Sequence, residues 1–331
     1  MRAAPPTVPF SPGASREPEH IASILLNTGA GGGRAGQPAV QRQIREAFAR
    51  QGWATELTCI PAQRYAGEAP LRVRDARGVV VAAGGDGSAN IVANACRAHG
   101  RPMGLLPLGS ANLAARALGL EPGVEQAVAA ITCGHPEAVR FAELNGRLFL
   151  TRALFGLCPA LLDARWPGGG STGWRERLSA LASGLRTLAG SNATFEAVLD
   201  TDDPKVWQRL RGTTMQVSLN ILPPGLDDPS ITACIERGQL LLTGLAAHAR
   251  WPTLGALLGS TFGSLEPARG GIASCASRIV VHGGRIQVPV LMDGDLRVME
   301  PPLEFRVRTR GLRMMRLPRA ATPVVELPQG N

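Results

Sequence analysis

The sequence predicts an α/β chain: an N-terminal doubly wound parallel sheet, then a mainly antiparallel, β-sandwich-like second domain, with a cleft between them. Three observations carry that expectation. Short apolar runs alternate with amphipathic helical patterns up to about residue 137. Beyond it the chain turns to β-rich segments with hairpin signals. Within the first of these regimes, two glycine-rich turns follow successive apolar runs, in VVVAAGGDGSANIVANA and MGLLPLGSANLAARALGL.

In order along the chain, residues 1–20 are rich in proline with no apolar run, and are expected to be a disordered leader rather than a signal peptide. IASILL is a buried-strand candidate and NTGAGGGRAG the loop after it. QPAVQRQIREAFARQG sets Val40, Ile44, Ala47 and Phe48 on one helical face, with Pro38 early, where a helix tolerates it. ATELTCI, GVVVAA and MGLL are the next strands, the third nearly continuous in apolar residues, as parallel strands covered on both faces are. VEQAVAAITCG reads as a helix closed by glycine. In VRFAELNGRLFLTRAL, Asn145-Gly146 separates two strand-like runs, a strong hairpin signal. TFEAVLD, TTMQVSLNIL, GQLLLTGL, SRIVVHGG and RIQVPVLMDGD follow, with Gly283-Gly284 expected as a second hairpin turn. RERLSALASGLRTLAG, with Leu178, Leu181, Leu185 and Leu188 at helical spacing, and WPTLGALLGSTF are expected as packing helices. The expected division is 21–137 for the α/β domain, 138–302 for the β-rich domain, and 303–331 for a strand returning to the first domain plus a tail.

Composition narrows the function classes. The net charge of +9 is almost all arginine, since Lys205 is the one lysine. With no GxxxxGK[ST] match, the P-loop template does not apply. The six cysteines are widely spaced, without a CxxC pair or neighbouring histidine pattern, which argues against zinc and for a reducing compartment. No run reaches eighteen apolar residues, so no membrane-spanning helix is expected. Arg306, Arg308 and Arg310 alternate along a strand, and Arg313, Arg316 and Arg319 extend the basic stretch. Their expected roles are solvated faces or attraction to an anionic nucleotide or lipid head group.

The two turns carry the chemistry. Gly84, Gly85 and Gly87 are expected to supply positive φ and close backbone approach; the amides and the helix N-terminus that follow make an anion site. Gly109, Ser110 and Asn112 repeat the arrangement one βα unit later. Ser88 and Ser110 can add hydroxyl donors and Asn112 an amide. Asp86 cannot favourably face phosphates unaided, so a Mg²⁺ ion or a ribose hydroxyl is its expected partner. Gly31 to Gly36 match GxGxxG with Glu56 twenty residues on. The first matching glycine nevertheless lies beyond residues 27–30, too far from the strand end for a dinucleotide turn, and five glycines in eight residues match by chance.

GGDGS, PLGSAN and the late MDGD together resemble the diacylglycerol kinase catalytic-domain family, which includes sphingosine kinases and bacterial lipid kinases. The order and separations fit over about residues 21–310. The resemblance implies ATP and Mg²⁺ as cofactors and a cleft lined by Asn27, Gly29 and Gly31 from the first turn. Gly84, Gly85, Asp86, Gly87, Ser88 and Asn90 come from the second, Gly109, Ser110 and Asn112 from the third, and Asp293 from the late motif. Gly156 is implied to lie beside the cleft. Asp295 is the candidate general base and, with Asp86, the catalytic pair; no metal ligands are assigned.

The same resemblance exposes departures. Thr28 and Ala30 replace Pro and Ser of the first turn, Ile91 replaces a Glu, and Leu113 an Asp or Asn. Arg140 replaces an acid, Glu236-Arg237-Gly238 stands for an Asp-Asp-Gly associated with a structural Mg²⁺, and Asp295 replaces a Glu. The expectation is an ATP-dependent lipid kinase acting on a diacylglycerol-like, phosphatidylglycerol-like or sphingoid alcohol. It is expected in the cytoplasm, with peripheral contact at the inner membrane face, no nucleic acid, and an oligomer left open. A catalytically weakened nucleotide-binding regulatory protein and an NAD kinase are the alternatives.

Overall fold

The computed structural model describes residues 20–120, 123–156, 194–200, 207–222, 228–246, 271–283, 286–317 and 325–326. Residues 1–19 of the leader and the two leucine-rich packing helices expected between 175 and 262 lie outside these residues.

The first sheet forms as the periodicity predicts. Strands β1 (Ile21–Asn27), β2 (Ala54–Ile60), β3 (Val79–Gly84) and β4 (Pro102–Pro107) are parallel, in the order β2-β1-β3-β4. Helix α1 (Pro38–Arg50) buries Ile44, Ala47 and Phe48, one face of its turn period. Helix α2 (Ala62–Asp75), absent from the sequence reading, buries Tyr65, Ala69 and Val73 at the same spacing, although Pro70 sits inside it. Its Tyr65 hydroxyl donates to the Leu25 carbonyl at 2.9 Å, and burial pushes the phenol pKa upward. Helices α3 (Asp86–Ala98), α4 (Leu113–Ala117) and α5 (Val124–Thr132) complete the layers.

After β5 (His135–Ala138), the hairpin β6 (Phe141–Leu144) and β7 (Arg147–Phe149) turns on Asn145 and Gly146, with φ of 47° and 81°. The second sheet adds β8 (Arg152–Gly156), β9 (Phe195–Asp200), β10 (Trp207–Ser218), β12 (Leu240–Ala246), β13 (Gly271–Ala276), β14 (Arg278–Gly283), β15 (Val288–Met292), β16 (Asp295–Met299) and β17 (Leu303–Arg308). Among the described residues its main path runs β16-β15-β8-β10-β9-β14-β17-β6-β7, antiparallel throughout, with β12 and β13 branching from β10. A short parallel pair joins β11 (Ile221–Leu222) to β19 (Val325–Glu326). Helix α6 (Pro229–Arg237), also absent from the sequence reading, is capped by Asp228 at its start and closed by Gly238 at φ 82°.

Gly283-Gly284 is not a hairpin between its flanking strands. β14 pairs with β9 and β17, whereas β15 pairs with β8 and β16, so the connection crosses between distant places in the sheet. Strand 303–308 stays in the second sheet; β18 (Arg313–Arg316) is the one that enters the first, between β4 and β5. The expected basic stripe is largely ion-paired: Arg306 with Glu304, Arg308 with Glu143, and Arg316 with Glu137.

Candidate functional site

In an open parallel sheet, ligands bind outside the carboxyl ends of the strands where the order reverses. Here β1 has β2 on one side and β3 on the other, so that point lies between β1 and β3. The turns after β1, β3 and β4 converge on it. The Asn27 side chain donates to Ser88 Oγ at 2.9 Å and accepts the Gly29 amide at 3.0 Å, tying the first turn to the second. A Cβ on Gly31 would lie 2.7 Å from the Leu108 carbonyl oxygen, and one on Gly109 would lie 2.5 Å from Gly85 Cα. The three turns are in backbone contact.

That contact revises the reason these glycines are required. Gly31, Gly32 and Gly33 do take positive φ, at 60°, 69° and 88°. Gly84, Gly85, Gly87 and Gly109 are not among the positive-φ residues; Gly85 has φ −91°. What Gly84 and Gly109 lack is room: a Cβ on Gly84 would sit 2.5 Å from Ser88 Oγ. Gly84 and Gly109 close their turns by lacking a side chain, whereas Gly31, Gly32 and Gly33 supply left-handed backbone.

Asp86 opens α3, and its Oδ1 accepts the Ala114 amide at 2.8 Å, which fastens the second turn to α4. Burial raises its carboxyl pKa and the nearby Asp293 charge adds to this, while the Ala114 and Leu113 amides and Arg152 pull it back down. Asn112, expected to offer its amide outward, is occupied locally. Its Oδ1 accepts the Gly109 amide at 2.9 Å and its Nδ2 donates to the Gly109 carbonyl at 2.9 Å, with φ 49°. Ser110 is exposed at the tip of this turn.

The late motif does fold back to the turns. A Cβ on Gly87 would lie 3.5 Å from the Asp293 carbonyl oxygen, so the β15–β16 hairpin covers the second turn. Asp293 itself is buried and filled. Its carboxylate accepts the amides of Leu150 at 2.6 Å, Thr151 at 2.9 Å and Arg152 at 3.0 Å, the Thr151 hydroxyl, and Asn90 Nδ2 at 2.8 Å. Asn90 also donates to the Leu148 carbonyl at 2.9 Å. Asn90 and Asp293 therefore join the two sheets, and their side chains are turned to each other and not outward. Asp295, the candidate base, is partly exposed and accepts from Arg297 Nε at 2.7 Å. Gly156 ends β8 at φ 100°, where a Cβ would meet the Thr213 carbonyl oxygen at 2.3 Å.

Two features escaped the sequence reading. Asn90, Asn94 and Arg97 form a polar stripe along α3 at helical spacing. Asn94 exchanges hydrogen bonds with both backbone groups of Leu148, and Arg97 pairs with the buried Glu143 and covers the Phe141 ring. The i, i+4, i+7 spacing was the available signal. The second is Arg152, partly buried beside Asp86 and Asp293, whose burial lowers its pKa against the pull of both acids. Two of the departures also meet: Arg140 lies against Gly238, where an added Cβ would fall within the guanidinium.

Comparison with known proteins follows the same pattern. Residues 22–144 match the family model described as the diacylglycerol kinase catalytic domain. A diacylglycerol kinase of Staphylococcus carnosus (strain TM300) is 31% identical over 128 residues, 37% of this chain and 42% of that protein. A Pseudomonas syringae pv. tomato protein named "Probable lipid kinase YegS-like" is 33% identical over 130 residues, 37% of this chain and 41% of its own. The matched region thus spans about two fifths of the length of these relatives. The fold similarity runs further. A crystal structure of a diacylglycerol kinase from Bacillus anthracis str. Sterne superposes with TM-score 0.55 at 16% identity, covering 91% of this chain and 97% of that one. A second from the same organism, described as "a putative diacylglycerol kinase", reaches TM-score 0.60 at 18% identity, over 93% and 99%. Residues 22–144 thus resemble the diacylglycerol kinase catalytic domain, and the chain shares its two-sheet fold with those structures.

Proposed function

We propose that the protein transfers the γ-phosphate of ATP to a hydroxyl of a membrane lipid, a diacylglycerol-like, phosphatidylglycerol-like or sphingoid alcohol. The observation that carries this reading is the convergence of three glycine turns at the β1/β3 switch point, with the β15–β16 hairpin closing over the second. Phosphoryl transfer asks a protein for positioning and charge neutralisation more than for covalent chemistry. No side chain caps the start of α3, so no side chain takes the anion position at its first amides. Ser88 Oγ, held by Asn27, adds an oriented hydroxyl.

Among the described residues no group of three acids, histidines or cysteines could hold a metal. Mg²⁺ at nucleotide sites typically takes one or two carboxylates plus phosphate oxygens, and a lone available acid fits that mode. With Asp293 filled and Asp295 ion-paired, Asp86 is the residue that would hold it. Bound there, Mg²⁺ supplies neutralisation of phosphate charge. Asp295 accepts the acceptor hydroxyl's proton as that oxygen bonds to the γ-phosphorus and ADP departs. Ile286, just before the hairpin that carries Asp295, and Val298, within its second strand, are both exposed and give the hairpin apolar contacts for a bilayer.

The Asp295–Arg297 pair supports a second reading, a nucleotide-binding protein without turnover, because the base is already engaged. One experiment separates these: purified protein with γ-labelled ATP, Mg²⁺, a panel of lipids and NAD. A labelled lipid supports the proposal. Labelled NAD overturns it in favour of NAD kinase, and ATP binding without any labelled product favours the second reading.

A further inference from the structure

We propose that Arg152 is the cationic phosphate receptor of this cleft, its guanidinium binding the nucleotide's terminal phosphate oxygens directly. This rests on the phosphoryl-transfer reading above and adds a residue to it. The chain's single lysine lies outside the described residues, so among the described residues the cation of the cleft must be an arginine. Arg34 and Arg116 are exposed, and Arg34 is bonded to the Gly31 carbonyl. Arg297 is committed to Asp295. Arg152 remains.

Its position is fixed by backbone. The Arg152 amide donates to Asp293 Oδ1 at 3.0 Å, and the Asp293 amide donates to the Arg152 carbonyl at 3.0 Å. Asp293 is also the residue whose carbonyl covers Gly87, so Arg152 stands one residue from the second glycine turn. Along β8, Ala153 and Phe155 enter the core, whereas Arg152, Leu154 and Gly156 alternate onto the other, partly exposed face. The guanidinium feels the charges of Asp86 and Asp293, one from each wall of the cleft. Yet it makes no ion pair within 4.0 Å among the described residues; Asp293 spends its carboxylate on amides and hydroxyl, and Asp86 commits one oxygen to α4. A partly desolvated guanidinium whose fork no described residue fills matches a phosphate's bidentate geometry.

The test uses the full chain. In Arg152→Met, which keeps the backbone bonds to Asp293, affinity for ATP and ADP should fall about 10- to 100-fold, with adenosine binding unchanged and Arg152→Lys recovering part of the loss. On wild-type protein, saturating ATP should protect Arg152 from phenylglyoxal, read by peptide mass spectrometry, and adenosine should not. That second measurement stands whether or not the Met variant folds. A Met variant that melts like wild type and binds ATP and ADP equally well overturns the proposal, as does modification of Arg152 undiminished by ATP. In both cases labelled-lipid formation by wild type leaves the kinase reading standing. Wild type that binds no nucleotide overturns both.

Discussion

Asn90 Nδ2 and Asp293 Oδ2 lie 2.8 Å apart across 203 residues of chain. One belongs to the helix that opens on the second glycine turn, the other to the hairpin that covers it. Their bond ties the two walls of the cleft together, because α3 brings Gly87 with it and the hairpin brings Asp295. Asn94 and Arg97 extend the same contact along α3, so the site is built on an interface held at several points.

Asp293→Ala should therefore act first on stability. It leaves three amides, a hydroxyl and the Asn90 side chain without their acceptor in a buried place. Hydrogen bonds to charged groups each contribute roughly 1.5–3 kcal/mol, so a loss of at least about 3 kcal/mol is expected in urea unfolding. A variant as stable as wild type, but unable to bind ATP, would show that Asp293 acts on the ligand instead.

Gly109→Ala should weaken ATP binding about tenfold or more, because its methyl lands 2.5 Å from Gly85 Cα, and backbone cannot swing aside as a side chain can. Gly67→Ala is the matched control. It lies in α2 with open space around an added Cβ, so it should raise stability by about 0.5–1 kcal/mol and leave binding alone. Isothermal titration and thermal melts on both variants check the contrast.

The turns and both sheets were legible because each rests on local pattern: glycine runs at strand ends, alternation, an Asn-Gly hairpin; the return of the late motif followed from the family resemblance and not from local pattern. What was not legible has two causes: partners far along the chain, and local composition that reads more than one way. Asn112 looked like a ligand donor because nothing local shows that its amide closes its own turn. Asp293 read as a cofactor residue because its acceptors' partners lie near residue 150. Gly283-Gly284 has hairpin composition, but strand order in a branched sheet overrides turn chemistry. Helix α2 was hidden by Gly67 and Pro70, which its buried face of Tyr65, Ala69 and Val73 offsets.

Asp86 gives a pH prediction. Burial first, then Asp293, hold its pKa above the ordinary 3.8. Below the unfolded value the group is protonated in both states and costs nothing; as pH rises through the higher folded value, stability is lost. Asp86→Asn fixes the neutral form and keeps an oxygen for the Ala114 amide. It should melt higher than wild type at pH 7, with the advantage shrinking toward about pH 4, while turnover collapses. An advantage that is flat or grows with acid would contradict the burial argument.

Asp295 separates an enzyme from a binder. If it takes the acceptor's proton, Asp295→Asn should leave ATP affinity unchanged and lower turnover about 10²–10⁴-fold, the usual range for a general base. The Arg297 bond makes a second variant informative: Arg297→Met frees the carboxylate and keeps most of the stem's packing. Were the pair only to orient the base, turnover in Arg297→Met should fall modestly and ATP affinity should hold. Were the pair to lock the base away, turnover should rise. Asp295→Glu adds one methylene, which either reaches past Arg297 toward the acceptor or restores what the shorter side chain lacks; activity equal to or above wild type is expected. Labelled-phosphate transfer by the four proteins at saturating ATP decides it. Silence in wild type, Asp295→Glu and Arg297→Met together, with ATP still bound in each, would remove Asp295 from catalysis and leave a nucleotide-binding protein.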